Sequence, residues 1–80
     1  MSKRNLPQLT ADEIIDILED HPSMIIIPTK YGYKVGRWLN DVGVASLDEN
    51  EFEELWISGN IYMFPWGDKN VYGYTRERNH

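Results

Sequence analysis

The sequence predicts a small α+β domain, and three observations carry that expectation. Thr10 and Glu13 stand at the spacing of a helix capping box, a β-branched run follows at Met24 to Ile27, and aromatic residues alternate around Gly67-Asp68-Lys69-Asn70. The expected order is α-β-α-α-β-β, closed by a C-terminal β-hairpin.

The first helix is placed at Ala11 to Asp20. Thr10 caps it, and Leu9 and Ile14 hold the N′ and N4 positions of a hydrophobic staple. Ala11, Ile14, Ile15 and Leu18 recur at helical spacing and make a buried stripe, which leaves Asp12, Asp16, Glu19 and Asp20 in water. His21-Pro22 stops the helix, because a residue before proline avoids the α region. Met24 to Ile27 then reads as a short strand, and Pro28, which lacks a donor, suits its end or the sheet edge.

The next segment satisfies two patterns. Tyr31, Tyr33 and Val35 alternate as a strand would, whereas Val35, Trp38, Leu39 and Val42 fall at helical spacing. The helical match is longer and runs to Gly43, a natural stop, so a helix is expected from about Lys34 to Val42. Ser46 and Glu49 form a second capping-box pair. They open a helix from Leu47 to Ser58 in which Phe52, Leu55 and Trp56 face the core and Gly59 ends the run. Ile61 to Phe64 and Val71 to Thr75 read as the two strands of the hairpin.

Two helices joined by a short turn, here Asp41-Val42-Gly43-Val44-Ala45-Ser46, and followed by a hairpin resemble the winged helix-turn-helix fold. The likeness covers about residues 9 to 76, between a flexible polar head at 1–8 and a tail at 77–80. It is one of architecture, without a family signature. It implies that the helix from Leu47 to Ser58 would enter a DNA groove. That helix carries Asp48, Glu49, Glu51, Glu53 and Glu54, a row of carboxylates that a polyanion repels.

Composition points the same way. In 80 residues, 13 acidic side chains outnumber eight basic ones for a net charge of -5, and no cysteine is present. Disulfides, thiolate metal sites and cysteine nucleophiles are therefore excluded. Neither His21 nor His80 forms a triad or metal spacing, and no glycine-rich phosphate loop occurs. The longest apolar run is too short to span a bilayer, and a cytoplasmic protein with no cofactor and no membrane role is expected.

These readings converge on a non-enzymatic interaction module, a monomer or homodimer of the kind a small phage-type regulator would be. It would bind a basic protein surface and act as an inhibitor or adaptor of a nucleic-acid-handling machine. Its contact residues are expected to be Asp48, Glu49, Glu51, Glu53 and Glu54, with Tyr62, Phe64, Trp66, Tyr72 and Tyr74 of the hairpin. The bland reading of the acids is a solvated helix face whose early carboxylates favour the helix dipole. Tyr62, Phe64, Tyr72 and Tyr74 are expected on one hairpin face and Ile61, Met63 and Val71 on the other, so that one face stays open for a partner. The alternative is a DNA-binding regulator that uses Lys30, Lys34, Arg37, Lys69 and Arg76.

Overall fold

The computed structural model describes residues 6–30, 32–38 and 42–75. Two helices lie on one face of a five-stranded antiparallel sheet. The elements are α1 (Ala11–Asp20), β1 (Ile25–Thr29), β2 (Gly32–Gly36), β3 (Ala45–Leu47), α2 (Glu49–Ile57), β4 (Ile61–Trp66) and β5 (Lys69–Tyr74), and the strand order is β3-β2-β1-β5-β4.

The α1 helix forms as its sequence dictates. The Glu13 amide donates to Thr10 Oγ1 at 3.3 Å, and the Thr10 amide donates to Glu13 Oε1 at 2.9 Å, which completes the capping box. Ala11, Ile14 and Leu18 are buried, while Ile15 and Leu9 pack partly buried against the same core.

The α-β-α-α-β-β order does not describe this chain, because the segment expected to be a helix from Lys34 to Val42 opens as β2. Tyr33 and Val35 alternate on the helix side of the sheet, opposite Leu47 and Ala45 of β3. The competing helical stripe fails on burial: Trp38 and Val42 are 51% and 66% exposed, and Leu39 lies outside the described residues. Residues 42–46 carry no turn between two helices. Gly43 adopts φ +96°, and Val44 donates to the Val35 carbonyl at 2.8 Å, leading the chain back into β3.

Ser46 accordingly sits in β3 and caps nothing. The N-cap of α2 is Asp48, whose carboxylate accepts from the Glu51 amide at 3.0 Å and from Gln8 Nε2 at 3.2 Å. Within the stretch read as a polar head, Pro7 and Gln8 run along the outer edge of β3. The Ser46 amide donates to the Pro7 carbonyl and the Leu9 amide to the Ser46 carbonyl, both at 2.9 Å. Gly59 ends α2 at φ +79°, as its position implies.

The hairpin is longer and tighter than its sequence suggests. Only Gly67 and Asp68 lie between the strands, with Trp66 opposite Lys69 and Phe64 opposite Val71. A two-residue turn pairs even-numbered residues with odd-numbered ones, so Tyr62, Phe64 and Trp66 share a face with Val71 and Gly73. Tyr72 and Tyr74 lie on the opposite face with Ile61 and Met63. The expectation that Tyr62, Phe64, Tyr72 and Tyr74 share one face is thereby corrected.

The main core lies between helices and sheet and is built from Ile14, Leu18, Ile26, Val35, Leu47, Leu55, Ile61 and Tyr74 among others. A smaller cluster of Ile25, Ile27 and Val71 sits on the helix-free face, with Phe64 packed against it. Gly73 makes room for this cover: a Cβ there would stand 3.0 Å from Phe64 Cε1 and 3.3 Å from Tyr62 Cε1.

Candidate functional site

The two helices bring ten of the 13 acidic residues into one layer. Asp12, Glu13, Asp16, Glu19 and Asp20 lie on α1, and Asp48, Glu49, Glu51, Glu53 and Glu54 cap or lie on α2. Neither helix carries a lysine or arginine. The helices touch at their N-terminal ends, where Glu51 Oε1 accepts the Ala11 amide at 2.8 Å.

The expected acidic contacts divide by role. Asp48 and Glu51 are spent on caps, and both are half-buried. Glu49, Glu53 and Glu54 are exposed. Glu49 and Glu53, four residues apart, fall on one strip of α2 with Trp56, three residues further on.

That strip faces an aromatic cluster. Tyr33 of β2 stacks on Phe52 with centroids 3.9 Å apart and planes 6° from parallel, and Trp56 continues the stack at 6.5 Å and 14°. Tyr72 stands edge-on to all three, 4.7 Å from Phe52, 5.7 Å from Trp56 and 6.4 Å from Tyr33. Phe52 is buried, Tyr33 and Tyr72 are half-buried, and Trp56 is 46% exposed. Tyr33, Glu49, Asn50, Phe52, Glu53 and Trp56 line a groove of about 400 Å³. A second recess, of about 380 Å³, shares Tyr33 and Glu49 and continues over Pro28, Thr29, Lys30 and Gly32.

The Tyr33 hydroxyl reports the local field. Burial pushes its pKa up, and negative charge on Tyr72, Glu49 and Glu53 pushes it further in the same direction. The carboxylates that rim the groove therefore act on a group inside it.

The predicted hairpin residues go to two places. Tyr74 is buried, with its hydroxyl donating to Glu19 Oε2 at 3.3 Å, so it ties α1 to the sheet and presents no contact surface. Tyr72 joins the helix-side cluster. Tyr62, Phe64 and Trp66 form a separate strip on the helix-free face, with centroid spacings of 5.3 and 6.3 Å.

The basic residues do not form one patch among those described. Lys34 and Lys69 lie on the helix-free face, Lys34 level with Ile27 and Lys69 opposite Trp66. Lys30 follows β1 and Arg37 follows β2, both exposed. Arg76 lies outside the described residues. Acid is thus concentrated over the helices, whereas the described cations are scattered, with Lys34 and Lys69 on the helix-free face and Lys30 beside the recess that Glu49 lines.

Tyr33, Asn50, Phe52 and Trp56 are the members of the groove that sequence reasoning does not single out as contacts. Trp56 belongs to the apolar stripe with Phe52 and Leu55, which reads as core. Its spacing from Glu49 and Glu53 is the signal that it lies at the edge of that stripe.

No protein-family model matches the chain, and neither a curated protein nor a solved structure matches it significantly. No helix among the described residues is long and apolar enough to cross a membrane. The functional reading therefore rests on the surface itself.

Proposed function

We propose that this chain is a non-enzymatic interaction module that docks a basic protein surface against its acidic helical layer. Its action would be that of a cytoplasmic inhibitor or adaptor of a nucleic-acid-handling machine. The observation that carries this reading is the one-sided layer: ten carboxylates, no cation on either helix, and an open aromatic groove between α2 and β2.

The bland account explains only part of the charge. Asp12, Glu13, Glu49 and Glu51 stand in first turns, where the helix dipole favours them. Glu19 and Asp20 stand in the last turn of α1 and Glu54 in the last turn of α2, where the dipole opposes a carboxylate. A basic partner would offset that cost.

The test is capture of a partner by the full chain and by a Glu49→Lys, Glu53→Lys, Glu54→Lys variant. Glu51 is left in place because it caps α1. Co-precipitation with mass spectrometry should give one stoichiometric basic protein with the native chain and lose it with the variant. Equal recovery by both would sink the reading.

A second reading, DNA binding, has one observation in its favour: Lys34 and Lys69 share the helix-free face with Trp66. Salt-sensitive retention of duplex DNA, lost on Lys34→Glu and Lys69→Glu, would establish it in place of the first.

A further inference from the structure

Resting on the reading of the helical layer as a docking surface, we propose that the groove along the exposed side of the Tyr33–Phe52–Trp56 stack, lined also by Glu49 and Glu53, seats one arginine side chain of the partner. Its guanidinium would lie over the Trp56 indole with its N–H groups directed to Glu53, and Glu49 would add to the negative field.

The groove has the chemistry such a side chain needs. One wall is the near-parallel stack of Tyr33, Phe52 and Trp56, locked from the side by Tyr72, so the aromatic face is pre-formed. Trp56 is 46% exposed and offers an indole surface, the strongest of the aromatic faces toward a cation. Glu53 stands three residues before Trp56 and Glu49 seven before, so the three residues share one helix strip and line the same groove. The remaining polar member, Asn50, carries no charge.

Other occupants fit less well. An apolar side chain would strip water from Glu53 and Glu49 without replacing their hydrogen bonds. An anion meets two carboxylates. A lysine ammonium satisfies the charge, but it is a compact, strongly hydrated point with no plane to lay on the indole. Glu49 also borders the recess that Lys30 lines, which leaves Glu53 as the carboxylate committed to this groove.

The experiment follows the three indole N–H resonances of the intact chain by proton–nitrogen correlation NMR, with Trp56 assigned by its loss in Trp56→Phe. The probes are blocked glycine-X-glycine peptides in which X is arginine, lysine or citrulline. The arginine peptide should shift the Trp56 indole saturably and bind about fivefold more tightly than the lysine peptide, with citrulline weaker still. Glu53→Gln should weaken arginine binding roughly tenfold, while Asp68→Asn, in the turn between β4 and β5, should leave it unchanged. An unmoved Trp56 resonance, equal binding of lysine and arginine, or a Glu53→Gln variant that binds as the native chain does would each overturn the arginine seat. If any of these occurs while the lysine-reversal variant still loses its basic partner, the seat falls and the docking reading stands. If the reversal variant keeps that partner, both fall.

Discussion

Glu51 Oε1 accepts the backbone N–H of Ala11 at 2.8 Å, so a side chain of α2 caps the first turn of α1 across forty residues of sequence. The Ala11 amide is one of the donors that a helix start leaves without an intrahelical partner, and a carboxylate there also meets the positive end of the dipole. The bond ties the two helices together where they meet, and it removes Glu51 from any surface a partner could use. Replacing Glu51 with alanine should cost about 1 to 2 kcal/mol, a fall in Tm of at least about 4 °C for a chain of this size. Glu54→Ala, on the exposed side of the same helix, should stay within about 0.5 kcal/mol of the native chain. Thermal unfolding followed by circular dichroism distinguishes the two.

Gly32 opens β2 at φ +143°, a conformation that side chains rarely adopt, and a Cβ there would stand 3.0 Å from the Leu47 carbonyl oxygen of β3. Backbone cannot step aside as a flexible side chain can. Gly32→Ala should therefore destabilise the fold by about 1 to 3 kcal/mol. Gly59→Ala has open space around the added methyl and should cost roughly 1 kcal/mol, the conformational term alone. Urea midpoints of the two variants should fall in that order, and the reverse order would contradict the β2–β3 pairing.

What the sequence made legible follows from how locally each signal is decided. The α1 helix was readable because cap, staple and stripe all lie within its own ten residues and their approach. The β2 strand was not, because Val35, Trp38, Leu39 and Val42 offered a longer period than Tyr33 and Val35, and only tertiary pairing with β1 and β3 decides between them. A three-residue strand such as β3 is too short to show any period. Ser46 with Glu49 and Asp48 with Glu51 both match a cap spacing, and strand pairing at Ser46 leaves the role to Asp48. The site is half legible for the same reason: Glu49 and Glu53 are visible as charge, but Tyr33 reaches them only through β2, whose sequence runs on into the longer helical period.

The Tyr33 hydroxyl should titrate above the ordinary tyrosine value of 10.0, because burial raises its pKa and Tyr72, Glu49 and Glu53 raise it further. A pKa raised in the folded state means that this group's contribution to stability is fully present below pH 10 and is lost as pH climbs through the folded value. Glu49→Gln with Glu53→Gln should bring the pKa part of the way down and leave the parts due to burial and to Tyr72. Absorbance titration near the phenolate band, with Tyr33→Phe as the reference that removes the signal, measures it. A pKa indifferent to both glutamates would separate them from the groove.

The concentration of acid over the helices can be read out by Trp56 and Trp66, which are 46% and 37% exposed on opposite faces of the sheet. Trp56 stands beside Glu49 and Glu53, and Trp66 stands opposite Lys69. A small cation should therefore be enriched at the first indole and a small anion at the second. In chains reduced to a single tryptophan by substituting phenylalanine at the other two positions, caesium should quench Trp56 more efficiently than Trp66, and iodide should show the opposite preference. The asymmetry should shrink toward nothing near 1 M salt, where the screening length falls to about 3 Å. Equal quenching of both tryptophans by both ions at low salt would mean that the helical layer projects no field a basic partner could feel, whatever its count of carboxylates.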